Sequence, residues 1–315
     1  MGIWKDGIMG AVTGDALGCP VEFREREELA VSPVSGMRGH GTFDQPAGTW
    51  TDDSSMTLAT LDSILTVEGI DLKDIMRDFM GWYYEGSYTP FGTAFDIGGT
   101  CSNAITKFAR TRDPKTCGDT TEDCNGNGSL MRIMPACLYC YSKKMSDDEA
   151  VKVIHDVSAL THAHLRSKMA CGLYYFCVKA VLDEDKDLTD VLQDGIDNAI
   201  AYYKQDLDST VELASFARLT NLYSFRNVPS NEIKSSGYVI DTIEASVWSL
   251  ITTTTLKQTL LTAVNLGEDT DTVAAIAGGL AGLYYGYGDI PVEWLSVILR
   301  KDWIEGLCEK AEKEF

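Results

Sequence analysis

The segment Val273-Ala-Ala-Ile-Ala-Gly-Gly-Leu-Ala-Gly282 contains seven alanine or glycine residues in ten positions. A second stripe of small residues comes from Gly10, Gly14 and Gly18, which recur at every fourth position. Glycine inside a helix costs about 1 kcal/mol relative to alanine, so glycine-rich helices need a compensating contact. We therefore expect two helices whose backbones approach closely in a packed centre, an arrangement that by itself implies no chemistry.

Apolar residues at helical spacing dominate the rest of the chain, and strand-like alternation is scarce, which predicts an all-α fold. A length of 315 residues suggests about two domains, but the sequence contains no linker, low-complexity segment or internal repeat. We therefore expect one large helical domain over residues 1–315. The apolar faces that predict helices are Leu58–Leu61–Leu65, Leu72–Ile75–Phe79–Trp82, Leu165–Met169–Leu173–Phe176, Leu188–Leu192–Ile196–Ile200 and the stretch around Trp294, Ile298 and Trp303.

The chain is acidic, because 27 Lys and Arg residues face 47 Asp and Glu residues and give a formal net charge of −20. Nucleic acids and anionic membranes attract basic surfaces, so neither is an expected partner. No apolar run reaches the ~18 residues of a membrane span, and the first residues lack a secretory signal pattern. With nine cysteines, an odd number, we expect reduced thiols and a cytoplasmic location. The charge fits either a self-repelling surface or carboxylates that bind cations.

Two acidic segments each precede a predicted helix: Thr51-Asp52-Asp53-Ser54-Ser55 and Glu268-Asp269-Thr270-Asp271-Thr272. N-capping alone explains either segment, because aspartate and threonine are good caps. If the fold brings the segments together, four aspartates gather without a Lys or Arg in either segment, and such a cluster requires counter-charge. Carboxylate and hydroxyl oxygens favour hard divalent cations over zinc or copper. The sequence leaves open whether the segments meet.

Three further features have both a plain and a functional interpretation. Glu22 lies in a loop after the first predicted helix, where a lone glutamate is ordinarily solvated. The loop Asn125-Gly-Asn-Gly-Ser129 is either a turn or, with glycines able to adopt positive φ and Arg132 nearby, a phosphate-binding nest. His162 and His164 could bind a metal, although a helix cap or a surface position explains the pair better.

Five motifs, taken in order, resemble the ADP-ribosylglycohydrolase family, which includes the dinitrogenase-reductase-activating glycohydrolases and the ADP-ribosyl-acceptor hydrolases. The small-residue helix through Gly286 fits the same pattern, and the resemblance spans roughly residues 7 to 287. Glu268 is a departure, because glycine is more usual before the aspartate of that motif. The motifs are Gly14-Asp-Ala-Leu-Gly18 with Glu22-Phe23, Thr49-Trp-Thr-Asp-Asp53, Phe95-Asp-Ile-Gly98, Gly126-Asn-Gly-Ser-Leu-Met-Arg132 and Ala263-Val-Asn-Leu-Gly-Glu-Asp-Thr-Asp-Thr272.

The resemblance implies an orthogonal all-α domain with a central cleft that holds two divalent cations, Mg²⁺ or Mn²⁺. It also implies catalytic roles for Glu22 and Asp96, a pyrophosphate cradle in the glycine loop and a histidine beside the nucleotide. The implied substrate-binding residues are Asp96, Gly126, Asn127, Gly128, Ser129 and His162. The implied metal ligands are Thr51, Asp52, Asp53, Asp269, Asp271 and Thr272.

The implied activity is hydrolysis of the C1 glycosidic bond that joins ADP-ribose to an acceptor on a protein or in a small conjugate. Arginine is the expected acceptor, because Gly86-Ser-Tyr-Thr-Pro90 and Phe95-Asp-Ile-Gly98 are similar to the bacterial arginine-type branch. Two alternatives stay open. One is a non-catalytic ADP-ribose-binding relative. The other is a two-metal hydrolase that acts on another ADP-ribose derivative, either serine-linked or O-acetyl-ADP-ribose, or on another nucleotide or phosphoester. The protein is expected to act as a monomer.

Overall fold

The computed structural model describes residues 2–315 as helices joined by loops. Within those residues there is no β-sheet, and the only strand-like pairings are two isolated bridges, Asp119–His162 and Gly126–Tyr238. None of the helices in this range combines the length and apolarity needed to cross a membrane. The all-α prediction is confirmed, whereas the single domain stays a prediction. The α-helices are α1 (Ile3–Gly18), α2 (Arg26–Val31), α3 (Asp52–Val67), α4 (Leu72–Glu85), α5 (Gly99–Thr111), α6 (Met134–Ser142), α7 (Asp147–Ser158), α8 (Leu165–Asp183), α9 (Leu188–Tyr203), α10 (Leu207–Glu212), α11 (Leu222–Phe225), α12 (Val239–Ile251), α13 (Leu256–Val264), α14 (Thr270–Tyr285), α15 (Val292–Leu295) and α16 (Lys301–Glu314).

Helices α1 and α14 cross with their backbones in contact and run in opposite directions. A Cβ at Gly14 would fall on the carbonyl oxygen of Ala274, and one at Gly10 would also strike the backbone of α14. Near the end of α1, a Cβ at Gly18 would meet the backbone of Asp271. The predicted close approach of two small-residue helices is confirmed. It brings the C-terminal end of α1 to the N-terminal end of α14.

Helix α3 joins this pair through Asp15 of α1, whose side chain is completely buried. The Asp15 carboxylate accepts hydrogen bonds from the backbone amides of Thr51 and Ser54, each at 2.9 Å. The hydroxyl groups of Thr51 and Ser54 also donate hydrogen bonds to the Asp15 carboxylate. A helix N-terminus has free amides that favour a negative partner, so Asp15 fixes the start of α3 beside the end of α1.

The outer helices turn their predicted apolar faces inward. In α4, for example, Ile75, Phe79 and Trp82 are fully buried. The C-terminal pattern differs from a continuous helix, because Ile298 lies in the turn between α15 and α16. Helix α15 ends at Leu295, and Arg300, which has a left-handed backbone with φ of +50°, is the N-cap from which α16 begins.

Candidate active site

The loop after α1 and the N-terminal ends of α3 and α14 line a cavity of about 340 Å³. This volume lies at the lower end of small-molecule sites, which run from about 300 to 1,000 Å³. Most of the side chains that the sequence singled out reach the cavity. Its lining residues are Glu22, Phe23, Asp52, Asp96, Ile97, Gly98, Gly99, Thr100, Cys101, Gly126, Asn127, Gly128, Met131, His162, Gly237, Asp269 and Thr272.

The two acidic segments meet at this cavity. The Thr272 hydroxyl donates a hydrogen bond to Asp53 Oδ2 at 3.2 Å. Thr51 is the N-cap of α3, because its hydroxyl accepts a hydrogen bond from the Asp53 amide. Asp269 occupies the same position before α14 but makes no side-chain cap. Its Oδ2 instead accepts from Asn127 Nδ2 at 2.9 Å. N-capping therefore explains Thr51 but not the carboxylate of Asp269.

Glu22 joins the four aspartates of the two acidic segments. We call Glu22, Asp52, Asp53, Asp269 and Asp271 the acidic cluster. A short 3₁₀ turn at Cys19–Val21, which contains Pro20, ends α1 as predicted. The turn leaves Glu22 only 5% exposed, so the solvated-loop interpretation does not hold. Carboxylate oxygens of Glu22, Asp269 and Asp271 lie within 4.8 Å of one another. These three side chains could hold a divalent cation.

A pair of backbone hydrogen bonds ties the Glu22 loop to the start of α14. The Phe23 amide donates to the carbonyl of Glu268 at 2.7 Å, and the Glu268 amide donates to the carbonyl of Arg24 at 2.8 Å. Phe23 and Glu268 both have left-handed backbones, with φ of +64° and +60°. This conformation favours glycine, in agreement with the glycine that the resemblance implies before Asp269. The Glu268 side chain is exposed, so its extra charge lies outside the buried cluster.

Several carboxylate oxygens in this cluster have no partner. Glu22 Oε2, Asp53 Oδ1 and both oxygens of Asp271 are buried without a hydrogen bond. Within residues 2–315, no Lys or Arg forms an ion pair with any carboxylate of the cluster. A buried charge without a partner is strongly unfavourable. The residues therefore fit oxygen-bound divalent cations such as Mg²⁺ or Mn²⁺.

Burial raises the pKa of each carboxyl group in the cluster. It is the largest cause for Glu22, where Asp271 and Asp96 add to the effect. The pKa values of Asp53 and Asp271 also lie well above their usual range, because desolvation is reinforced by neighbouring carboxylates. Like charges in a desolvated site disfavour ionisation of one another. Bound cations would lower these pKa values again.

Asp96 reaches the same cavity from the loop before α5. Its backbone is left-handed, with φ of +52°. Burial raises the pKa of Asp96 to about 6, and Asp96 shares the cavity lining with Glu22. A carboxyl group with a pKa of about 6 can accept or donate a proton near neutral pH. Asp96 and Glu22 thus form a pair suited to acid–base chemistry.

The glycine loop forms another wall of the cavity, and one of its glycines, Gly128, is required by space. A Cβ at Gly128 would lie 2.9 Å from Cys101 Sγ and 2.9 Å from His162 Cε1. The expected positive φ is wrong, because neither Gly126 nor Gly128 has a left-handed backbone. Within residues 2–315, no acceptor lies in hydrogen-bond range of the Gly128 amide. The amide is therefore available to an anion.

The His162 ring lies under this loop and is only 2% exposed. Its Nδ1 is 2.9 Å from the Thr161 hydroxyl, which also accepts a hydrogen bond from Arg132 at 2.8 Å. Burial, followed by the charge of Arg132, lowers the pKa of His162 to about 3 and keeps the ring neutral. Arg132 is fully buried and stands 4.7 Å over the Phe79 ring. It supports His162 from the interior and does not line the cavity, contrary to the nest interpretation.

The family model for ADP-ribosylglycohydrolase matches residues 5–315. The chain belongs to the ADP-ribosylglycohydrolase family. The family expected from the motifs is confirmed, and so is the expectation of an ADP-ribosyl hydrolase enzyme.

Several curated relatives of this ADP-ribosylglycohydrolase are similar over most of their length. ADP-ribosylarginine hydrolase Tri1 of Serratia proteamaculans is 30% identical over 97% of this chain and 78% of the relative. ADP-ribosyl-[dinitrogen reductase] glycohydrolase of Rhodospirillum rubrum is 29% identical over 92% of this chain and 87% of the relative. ADP-ribosylhydrolase ARH3 of Gallus gallus is 25% identical over 91% of this chain and 86% of the relative. A solved structure described as an ADP-ribosylglycohydrolase-related protein complex has a TM-score of 0.80 and 27% identity, covering 99% of this chain and 97% of that chain.

Ser129, Thr51 and His164 each use the side chain in a hydrogen bond within the protein. The Ser129 side chain is fully buried and accepts a hydrogen bond from Ser158 at 2.9 Å. Thr51 uses its hydroxyl on Asp15 and on the start of α3. His164 caps α8 by accepting from the Arg166 amide at 3.2 Å, as the plain interpretation predicted.

Asp15 is a residue to which sequence reasoning gave no role. It lies between Gly14 and Gly18 in the first motif, and it positions the start of α3, where Asp52 and Asp53 lie. The available signal was a single carboxylate in the small-residue stripe between Gly14 and Gly18. An acidic residue on a face that packs against another backbone needs donors of its own, and the amides of α3 supply them.

Proposed function

We propose that this protein hydrolyses the C1 glycosidic bond of ADP-ribosylated arginine and uses two divalent cations, Mg²⁺ or Mn²⁺. The observation that carries the proposal is the group of buried, unpaired carboxylates beside a glycine loop in one cavity. The arginine acceptor is supported by the relatives named ADP-ribosylarginine hydrolase. Modified proteins or small ADP-ribose conjugates would be the substrates, and the enzyme would act as a cytoplasmic monomer.

The proposed metal ligands come from two helix starts. Asp52 and Asp53, with Thr51, lie at the start of α3, and Asp271 and Thr272, with Asp269 before them, lie at the start of α14. Glu22 reaches the second group from its own loop. Oxygen donors on three separate segments can surround two cations and leave positions for substrate oxygens.

When bound, divalent cations stabilise negative charge and make water more acidic. The remaining chemistry falls to the chain. The C1–nitrogen bond breaks through an oxocarbenium-like transition state, the water oxygen bonds to C1, and a proton passes to the departing guanidine nitrogen. Glu22 and Asp96 line the same cavity. One would accept the proton from water and the other would donate to the leaving group, roles this geometry leaves interchangeable.

The glycine loop and His162 hold the distant part of the substrate. The pyrophosphate would lie against Gly126–Gly128, where the Gly128 amide lacks a partner among residues 2–315. The neutral His162 ring would lie beside the nucleotide. Contacts remote from the reacting bond fix C1 in place and lower the entropic cost of reaction.

A linkage panel tests the proposal. Arginine-linked, serine-linked and O-acetyl-linked ADP-ribose are each incubated with Mg²⁺, with Mn²⁺ and with chelator, and the products are separated by chromatography. We expect release of free ADP-ribose from the arginine conjugate, and none with chelator. Tight ADP-ribose binding without turnover would identify a non-catalytic relative, and release of inorganic phosphate would identify a phosphoester hydrolase.

A further inference from the structure

Three aromatic rings form a row that begins at Phe23 in the cavity lining and continues through Phe43 to Phe95. Phe23 lines the cavity and is 65% exposed, which is unusual for a phenylalanine. Its ring centroid lies 6.3 Å from that of Phe43 in an edge-on arrangement, and the Phe43 centroid lies 5.2 Å from that of Phe95. Each ring comes from a different loop, and Phe95 directly precedes Asp96. We call Phe23, Phe43 and Phe95 the aromatic row.

The backbone holds the aromatic row in place. A left-handed conformation is rare for a bulky residue such as Phe23, and the hydrogen bond to Glu268 maintains it. The Phe43 loop is attached to the same segment, because the Thr42 hydroxyl donates to the Glu22 carbonyl at 2.6 Å. The Thr42 amide also donates to the Pro20 carbonyl at 3.1 Å. The exposed ring is therefore fixed relative to the Glu22 carboxylate.

Contacts around the cavity give the direction in which a substrate would lie. Asn127 of the glycine loop contacts Asp269, carboxylate oxygens of Asp269 and Glu22 lie within 4.8 Å of each other, and Glu22 and Asp96 line the same cavity. With the pyrophosphate at the glycine loop and the ribose at the carboxylates, the group on C1 extends past Glu22. It then meets Phe23 of the aromatic row.

The chemistry of this position suits a cation with a flat face. Aromatic faces attract cations by about 0.5–2 kcal/mol, and a guanidinium group stacks on them better than an ammonium group does. The carboxyl oxygens of Glu22 and Asp96 can accept hydrogen bonds from guanidinium N–H groups, and a serine acceptor offers neither a charge nor a planar group. We propose that Phe23 is the acceptor-binding residue of this enzyme, on which the guanidinium of ADP-ribosylated arginine stacks, and that Phe43 and Phe95 hold Phe23 in position. This inference rests on the proposed function.

The test compares Phe23→Leu, which keeps apolar volume but removes the aromatic face, with Phe23→Tyr, which keeps the face. Tyr84→Leu is the matched control, because Tyr84 is 53% exposed and does not line the cavity. KM and kcat are measured on an ADP-ribosyl-arginine peptide, and inhibition by free ADP-ribose is measured for each protein. Thermal midpoints establish that each variant is folded.

We expect Phe23→Leu to raise KM for the arginine conjugate by about 2- to 30-fold, with the inhibition constant of ADP-ribose unchanged. Phe23→Tyr should raise KM less than Phe23→Leu does, because it keeps an aromatic face, and Tyr84→Leu should retain the wild-type KM. An unchanged KM in Phe23→Leu, or an equal loss of ADP-ribose inhibition, would overturn the acceptor role while leaving the proposed function intact. Absence of turnover by the wild-type protein would overturn the proposed function and this inference together.

Discussion

The Thr272 hydroxyl donates to Asp53 Oδ2 at 3.2 Å across 219 residues of sequence. This contact joins the N-terminal ends of α3 and α14. It depends on α1, because Gly18 touches the backbone at Asp271 and Asp15 holds the start of α3. The close packing at Gly10, Gly14 and Gly18 therefore has a role beyond the core, because it sets the distance between the carboxylates at the starts of α3 and α14.

Replacing Gly14 with alanine should destabilise the protein. The new methyl group would fall on the carbonyl oxygen of Ala274, and overpacking of this kind costs about 1–3 kcal/mol. Gly306→Ala is the matched control, because no atom lies within 4 Å of its added Cβ and alanine favours a helix interior by about 1 kcal/mol. Urea unfolding should therefore show opposite signs for the two substitutions. Equal effects would mean that α1 and α14 are not in backbone contact.

Asp15→Asn should loosen the start of α3. The amide keeps the shape but replaces one acceptor oxygen with a donor, which then faces the donors of Thr51 and Ser54. Losing hydrogen bonds to a charged acceptor lowers the free energy of unfolding by about 2 kcal/mol, and affinity for Mn²⁺ should also fall. Asp71→Asn is a suitable control, because Asp71 caps α4 and asparagine caps equally well. Wild-type Mn²⁺ affinity in Asp15→Asn would show that Asp15 does not position the carboxylates.

Asp271→Asn should change thermal stability in opposite directions with and without metal. In chelator, removing one of several buried like charges relieves repulsion, so the variant should melt above the wild type. With Mn²⁺ at a hundred times its Kd, the wild type gains about 2.7 kcal/mol and should melt above the variant. Differential scanning calorimetry under both conditions measures this crossover, with Asp208→Asn at an exposed site as the control. A variant less stable than wild type under both conditions would argue against repulsion in the metal-free cluster.

His155 should make stability fall in mild acid. Burial lowers the pKa of His155 from 6.5 to about 4, with Lys168 adding to the shift, and its Nε2 lies 2.8 Å from the Tyr203 hydroxyl. Because the folded pKa is below the unfolded one, this contribution is complete above pH 6.5 and is lost as pH falls towards 4. The loss has a maximum slope of about 1.4 kcal/mol per pH unit for one proton.

Urea unfolding between pH 4 and pH 7 tests this dependence in wild type and in His155→Gln. The glutamine variant should have a shallower slope over this range. His40→Gln, at an exposed histidine, should change the slope less. If His155→Gln keeps the full wild-type slope, the histidine is not the group responsible.

The sequence was sufficient for the helical fold and for the meeting of α1 with α14, because both depend on local periodicity and on residue size. Gly10, Gly14 and Gly18 would destabilise an isolated helix. Their regular spacing therefore predicts that a second helix with small residues packs against them. The two acidic segments could be named as ligands only conditionally. Their distance apart depends on tertiary packing, which no local pattern encodes.

Burial could not be read from residue type at several positions. Arg132 appeared suited to bind phosphate, yet it is fully buried and hydrogen-bonded to Thr161. Phe23 looked like part of a motif and is instead an exposed ring on a left-handed backbone. In both cases the neighbours come from distant segments, and long-range contacts decide where the side chain points.

The proposal of two cations at Asp52, Asp53, Asp269 and Asp271 is tested most directly by ADP-ribose release from an ADP-ribosyl-arginine peptide during Mn²⁺ titration of chelator-treated protein. We expect wild-type turnover to return with Mn²⁺, whereas Asp52→Ala and Asp271→Ala should bind no metal and release no ADP-ribose while keeping wild-type helicity by circular dichroism. Turnover by either variant equal to that of the wild type, or full wild-type turnover in chelator, would contradict the metal assignment.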